Sequence, residues 1–524
     1  MTSSPTVGVR QGSTAEAGDL TQELLSRDHW TDDMVVRAGI PIVDVPFVTV
    51  GGGIGSFVTV DYLRIAGVPT EDIKVLSILD QPWQTYEYLT RVSQIPRHER
   101  IRSDSASTPD CIWGFPSYAV REFFEAKGLG RRIAPLLQVA VEPILTDYYT
   151  PRAGKVFATL EREARRIRYW DMLVKGQVRM VRRRSGGGYF TILTPPAGTT
   201  DTKRVAYRST YVHLALGYPG LKFLEDLQAF RGNNVDRSYH VVNAYQPHEH
   251  VYEELKRRPG STVVIRGGGI VASRLLQRLI DDRDASGTEV QIEHVFRTYV
   301  AGAHGTGIFN RRKGGDGWAY QGFNYPKSVW GGQLKDRVRR AEGADRAKLY
   351  KDMGGTNTPK RRHWQRQLKR GRKEGWYRVW VGQVTEVVAG ADQMIDTMLE
   401  TEKGPQPLPA HFIIDATGLE ADLREHRVLA DLLDHGGAGR NPIGRLDVDR
   451  NFEVRGGQNT PGTLFASGSA TLGGYFPGVD TFLGLQIAAQ EIADELARRG
   501  FCRKIGPTRS IRQWWRWVRN APVS

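Results

Sequence analysis

Two segments of the chain repeat one order of residues: an apolar run, a glycine cluster, an apolar-periodic stretch, a turn and a second apolar run. FVTVGGGIGSFVTVDYLRIAGVPTEDIKVLSILD occupies 47–80, and STVVIRGGGIVASRLLQRLIDDRDASGTEVQIEHVFRTYV occupies 261–300. Short apolar runs that stop at glycine read as buried strands, and helically spaced apolar residues after the glycines read as crossover helices. Each segment is therefore strand, loop, helix, strand, which feeds a parallel sheet. Two such units more than 200 residues apart predict an α/β fold with two Rossmann-like dinucleotide-binding domains and two nucleotide-sized sites.

The loops carry the chemistry. A pyrophosphate approaches bare backbone at a helix N-terminus, where unpaired N–H groups and the helix dipole favour negative charge. Gly51 and Gly53 take the glycine positions of GxGxx(G/A), Gly55 belongs to the same cluster, and Ser56 is the small residue that packs helix on strand. Asp80 ends the second strand, placed to accept hydrogen bonds from a ribose 2′-hydroxyl and to repel a 2′-phosphate. The first site is expected to take FAD or NAD. In the second loop Gly267, Gly269 and Ala272 occupy the same positions, but the strand runs into Arg297 and Thr298. A guanidinium there pairs with the 2′-phosphate of NADPH, or is an ordinary surface arginine at a strand end.

The rest of the chain limits the alternatives. Its 524 residues, 40% hydrophobic and 25% charged, suit a globular protein of two or three domains. No apolar run approaches the ~18 residues of a membrane span, and the head lacks a signal-peptide pattern, so a soluble, cytoplasmic protein is expected. Cys111 and Cys502 are the only cysteines, which excludes a CxxC dithiol and a multi-cysteine metal site. No histidine spacing supports a metal either.

LALGYPG (214–220) and DATG (415–418) are further apolar runs ending at a small-residue turn, and GGYFPGVDTFLGLQIAAQEI (473–492) is a glycine-rich loop leading into a helix. With the two nucleotide loops, this arrangement from about Val45 to Ala497 resembles the two-dinucleotide-binding-domain flavoproteins. Among them it is similar to the class B flavin monooxygenases, closest to the N-hydroxylating and flavin-containing branches. The resemblance implies that the first loop binds FAD, the second binds NADPH, and LALGYPG and DATG connect the domains, with Asp415 and Gly418 at the second connection. It implies that Asp480 and Thr481 lie near the flavin ring; a plain helix cap by Asp480 is the structural alternative. The implied domains are a disordered or extended segment 1–40, FAD domain 41–220, inserted NADPH domain 221–375 with an irregular basic excursion, FAD domain resumed 376–500, and a basic, Trp-rich tail 501–524.

The implied reaction is NADPH-driven insertion of one oxygen atom of O2, through a flavin C4a-hydroperoxide, into a small-molecule substrate at nitrogen or another heteroatom. The Baeyer–Villiger branch is disfavoured, since FRGNNVDRSYH puts His240 eight residues after Gly232 rather than four. HVVNAYQPHEHVYEEL is similar to the approach to the NADPH domain in the N-hydroxylating branch, without the serine pair usual there. Flavin supplies the difficult chemistry, so no catalytic side chain is assigned, and His213, His240, His248 and His250 are read as structural. A flavin reductase or oxidase without oxygen insertion is the enzymatic alternative, although an oxidase leaves the second loop unexplained.

Lys360 to Lys373 holds eight Lys or Arg and no acid. That block reads as a solvated helix face or as a site for an acidic carrier protein or other anionic surface; no nucleic-acid fold motif accompanies it. WWRWVR near the C-terminus packs its tryptophans, docks on a sister subunit in a homo-oligomer, or lies on an anionic membrane.

Overall fold

The computed structural model describes residues 18–100, 117–141, 149, 151–196, 203–303, 313–320, 333–353, 358, 361–419 and 421–523. Structure begins earlier than the sequence suggests. Thr21 and Thr31 accept hydrogen bonds from the first turns of α1 (Gln22–Ser26) and α2 (Asp32–Arg37), which flank β1 (His29–Trp30). Leu24, Trp30, Val35 and Ile40 are buried together with Phe190 and Ile192. The expectation of a disordered or extended segment to residue 40 is thus corrected from Gln22 onward, because these few apolar residues find a sheet to cover; residues 1–17 lie outside the described residues.

After β2 (Ile42–Asp44) the first nucleotide unit follows as read: β3 (Phe47–Val50), α3 (Ile54–Ile65) and β4 (Ile73–Ser77). Then come α4 (Gln84–Val92), α5 (Ser117–Glu125), α6 (Leu129–Val141) and α7 (Ala153–Arg166). β5 (Leu173–Lys175) precedes β6 (Gln177–Arg184), β7 (Tyr189–Thr194) and β8 (Val205–Ser209), and β9 (Tyr211–Leu214) ends this part. β6, β7 and β8 pair antiparallel within a five-stranded sheet of order β1-β6-β7-β8-β2.

The second unit contains α8 (Glu225–Asn233), β10 (Val241–Asn243), α9 (Glu249–Arg257), β11 (Thr262–Arg266), α10 (Ile270–Ser286) and β12 (Gln291–Phe296). The excursion beyond is more regular than its weak periodicity suggests. It holds a hairpin of β13 (Lys313–Gly315) and β14 (Trp318–Tyr320), and helices α11 (Gln333–Arg340), α12 (Gly343–Met353) and α13 (Arg362–Glu374). α13 is the basic block. Trp364, Gln367, Leu368 and Gly371 recur at helical spacing and are buried, while Arg370 and Arg372 pair with Asp284 and Asp316. It leads into β15 (Tyr377–Val381), which pairs parallel with β12, so the block is a crossover helix of this unit. Lys360 lies outside the described residues.

A three-stranded antiparallel sheet, β16 (Gln383–Ala389), β17 (Ile395–Thr401) and β18 (Gly404–Ala410), follows, and β19 (Phe412–Asp415) returns to the parallel sheet. That sheet has the order β10-β19-β11-β12-β15. The second domain therefore extends from about 221 to about 419, and the boundary expected at 376 is corrected: Tyr377–Val381 and Phe412–Asp415 pair with β12 and β11, not with the first unit.

The chain re-enters the first unit through α14 (Arg427–His435) and β20 (Thr463–Ala466), which completes the parallel order β20-β9-β3-β4-β5. α15 (Phe482–Arg498) packs along α3, burying Gly484, Ala488 and Ala489, small residues that let two helices approach. α16 (Pro507–Val518) ends the fold. It is docked and not a free tail: Phe501 stacks on Phe47 with ring centroids 6.1 Å apart, Arg509 Nε donates to the Ile65 carbonyl at 2.9 Å, and Trp517 is buried.

Candidate functional site

Each glycine of the first loop has its own job. Gly51 has φ +95°, a conformation side chains rarely adopt, and a Cβ there would meet the Ala215 carbonyl. A Cβ on Gly52, a position not singled out from sequence, would strike Ser77 at the end of β4. A Cβ on Gly53 would meet nothing within 4 Å. Gly53 is thus the bare main chain at the N-terminus of α3, a cradle open to a pyrophosphate. Gly55 faces inward, its Cβ position 3.2 Å from Ala215 Cβ and 3.3 Å from Leu485 Cδ2, so its small size serves packing. Ser56 is buried and its hydroxyl donates to the Gly51 carbonyl. Asp80 sits beyond β4, 75% exposed at its side chain, with Lys175 Nζ at 2.5 Å.

The second loop repeats the device with different partners. Gly267 has φ +137°, and a Cβ would meet the Ala416 carbonyl. Its own carbonyl lies 2.7 Å from His294 Nε2, and Tyr377 Oη lies 2.9 Å from His294 Nδ1. The arrangement is satisfied when Tyr377 donates to Nδ1 and Nε2–H donates to Gly267; burial pushes His294 down to about 4, keeping it neutral. Gly269 caps α10 with no side-chain bond and Ala272 is fully buried. Arg297 and Thr298 stand exposed just past β12. The nearby Arg266 and Arg274 are engaged by Asp226 and Glu99, and Arg361 shares Glu99 at 3.4 Å. Arg297 has no ion-pair partner among the described residues.

Between the loops the connections are tied together. Asp415 is buried and accepts from Thr417 N at 2.9 Å, Thr417 Oγ1 at 2.6 Å and Leu224 N at 3.2 Å. Leu224 opens α8 just after the first connection and Thr417 lies on the second, so this carboxylate ties the start of α8 to the second connection. Asp415, expected from the sequence at the second connection, thereby holds these segments in position. Desolvation raises its pKa. Gly418 has φ +135° with open space around it. Tyr218, on the first connection, donates to Asp480 Oδ2 at 3.1 Å; burial and that carboxylate push the phenol up. The cap of α15 is Thr481, whose hydroxyl accepts from Gly484 N at 3.1 Å and donates to the Gly478 carbonyl at 2.7 Å. Asp480 is therefore not the cap; it is exposed and accepts from Tyr218.

The glycine-rich segment that leads to Thr481 is gripped by helices inserted in the second unit. Arg346 Nε donates to the Gly473 carbonyl at 3.0 Å, and Tyr350 Oη lies 2.7 Å from the Phe476 carbonyl and 3.1 Å from that of Gly474. Tyr475 donates to Glu342 at 2.7 Å, with the guanidinium carbons of Arg346 and Arg450 over its ring at 4.1 and 4.6 Å. Sequence reading missed this clasp, since α11 and α12 are far along the chain from 473–478 and show no motif. Of the histidines, His240 and His250 bond the carbonyls of His411 and Tyr239, and His248 bonds Gln246 and Tyr252. His213 joins Thr49 and Ser467. None of these reaches the open face of either loop.

Two parallel nucleotide units, each with a glycine loop at a helix N-terminus, and a segment returning from the second to close the first, define the two-dinucleotide-binding-domain flavoprotein fold. Its neighbours of known structure are class B flavin monooxygenases. The ornithine hydroxylase of Pseudomonas aeruginosa superposes with a TM-score of 0.60 at 15% identity, covering 87% of this chain and 99% of that one. The ornithine N-hydroxylase of Kutzneria sp. 744, solved with reduced FAD, NADP+ and L-ornithine, gives 0.59 at 13% identity over 87% and 100%. The cadaverine monooxygenase of the desferrioxamine pathway from Erwinia amylovora, bound to FAD, gives 0.58 at 12% identity over 89% and 98%. At such identities the likeness establishes the fold. No family model and no curated protein matches the sequence.

Proposed function

We propose that the chain is an FAD- and NADPH-dependent monooxygenase that hydroxylates a primary amine nitrogen of a small molecule. The observation that carries this reading is the pair of unlike glycine loops in one fold, the first followed by Asp80 and the second by Arg297, which has no ion-pair partner among the described residues. The neighbours act on ornithine and cadaverine, which share a terminal amine, and that common chemistry is the substrate class taken here.

Bound at the first site and reduced from the second, FAD supplies the oxygen-activating chemistry. The chain's part is to bind and orient. Gly53 and the N–H groups opening α3 hold the pyrophosphate, Ser56 fixes the loop from beneath, and Asp80 takes the ribose hydroxyls. The N-terminus of α15, set by the Thr481 cap, presents a positive dipole end toward the closing segment. Arg297 reads the 2′-phosphate, while Tyr218 holds Asp480 beside the start of α15.

The test is spectroscopic. The purified protein is expected to show flavin bands in the visible, to be bleached by NADPH under nitrogen, and to consume O2 with formation of a hydroxylamine when ornithine, lysine or cadaverine is supplied. A flavin that NADPH reduces, but that reoxidises without any hydroxylated product, supports the reductase or oxidase reading instead.

A further inference from the structure

The last helix of the fold is cationic and carries an apolar stripe that the oxidoreductase reading does not use. From Arg503 to Ser524 the chain has six Lys or Arg and no Asp or Glu. α16 turns its face inward through Ser510, Gln513 and Trp517, which are buried. Arg121 on α5 stacks over the Trp517 ring at 3.9 Å and fixes the helix's rotation. The opposite face is left to solvent. Ile511 is 49% exposed, Trp515 51% and Val518 41%, at the i, i+4, i+7 spacing of one helical stripe. Arg512 and Arg519 beside them are exposed too. α6, packed on α5, also points Leu129, Ile133 and Leu137 outward.

Burial of an isoleucine, a tryptophan and a valine out of water is favourable by hydrophobic transfer, so leaving all three exposed on one stripe calls for a covering phase. A second copy of this chain meets α16 poorly, because a twofold contact sets identical arginines against each other. RNA or an acidic peptide satisfies the arginines and leaves the aliphatic residues wet. A bilayer carrying anionic lipid satisfies both: guanidinium groups reach phosphate, and Ile511, Trp515 and Val518 enter the boundary between headgroup and acyl chain. We propose that α16 docks the protein on an anionic membrane surface, lying in the interface plane. No described helix is long and apolar enough to cross a membrane.

The full-length protein, loaded with whatever flavin it retains, is to be sedimented with vesicles of phosphatidylcholine containing about one-quarter phosphatidylglycerol and, separately, with vesicles of phosphatidylcholine alone. Binding to the first and little to the second is expected. Each Lys or Arg near such a surface contributes about a fivefold change in partitioning, so Arg512→Gln with Arg519→Gln should weaken binding roughly twentyfold, on the same principle. Ile511→Ser with Trp515→Ser should abolish most of the rest, with flavin content unchanged as the check on folding. If the serine variant fails to fold, the arginine variant and its loss in high salt decide the matter. Equal sedimentation of all variants overturns the proposal. So does light scattering that shows an oligomer disrupted by the serine variant, or binding to an RNA or acidic polypeptide that exceeds binding to the vesicles.

Discussion

His213 Nε2 lies 2.9 Å from Ser467 Oγ and His213 Nδ1 lies 3.0 Å from Thr49 Oγ1. Thr49 in turn donates to Ser56 at 3.0 Å, and Ser56 donates to the Gly51 carbonyl. One buried chain of bonds thus runs from the strand that returns last to the loop that opens first. Burial pushes His213 down to about 3, so it is neutral in the fold.

A histidine at its ordinary unfolded value binds a proton below pH ~6.5, whereas folded His213 and His294 do so only near 3 and 4. Below 6.5 the unfolded state therefore holds more protons, and stability falls as pH falls. The expected slope is about 1.4 kcal/mol per pH unit for each histidine, full stability being present above 6.5 and the loss levelling off near 3 to 4. Thermal melts between pH 7.5 and 4.5 check this. His213→Asn should flatten the slope while lowering stability at pH 7.5; an unchanged slope would mean that His213 is not buried neutral.

Gly53→Val should place branched carbons in the open cradle without touching the protein, since nothing lies within 4 Å of its Cβ. The variant is expected to fold and to purify colourless, whereas Gly269→Val keeps its flavin. Visible absorbance per protein chain measures both; equal loss of colour in the two variants would overturn the assignment of sites, and loss in Gly269→Val alone would reverse it.

Arg297→Ala tests the choice of nicotinamide. A charge-assisted contact to phosphate contributes on the order of 1.5–3 kcal/mol, about ten- to a hundredfold. With Arg266 and Arg274 engaged by Asp226 and Glu99, the loss should not be shared. KM for NADPH should rise by that factor in stopped-flow or steady-state flavin reduction, with NADH unaffected. Equal losses for both nucleotides would make Arg297 structural.

The clasp on 473–478 predicts that a change in the second domain's insertion is felt at the flavin. Tyr350→Phe leaves the buried Phe476 carbonyl without its donor, a cost of about 1–3 kcal/mol. Titration of apoprotein with FAD should show weaker binding, although Tyr350 is on α12, outside the first unit. Unchanged FAD affinity with a lowered melting temperature would confine the clasp to stability.

Local pattern carried the two nucleotide units. The period of the apolar residues and the glycines at 51, 53, 267 and 269 are short-range signals, so β3, α3, β4, β11, α10 and β12 are legible in the sequence, as are the strands that end at Leu214 and Asp415. What lay beyond the sequence depends on contacts between residues far apart. That β15 and β19 belong to the second sheet follows from parallel pairing with β12 and β11, which apolar runs of equal length do not encode. That the basic block is a crossover helix follows from what Trp364 and Leu368 face, not from its charge. Gly52 has no room for a side chain because of Ser77 at the end of β4, Asp415 is bonded by Leu224 at the start of α8 and by Thr417, and Tyr475 is held by Glu342 and Arg346 more than 100 residues earlier. Strands, helices and phosphate loops are readable in the amino-acid order because each depends on neighbours within a few residues. How they join into one site is set by burial and hydrogen-bond satisfaction, which act between segments the chain keeps apart.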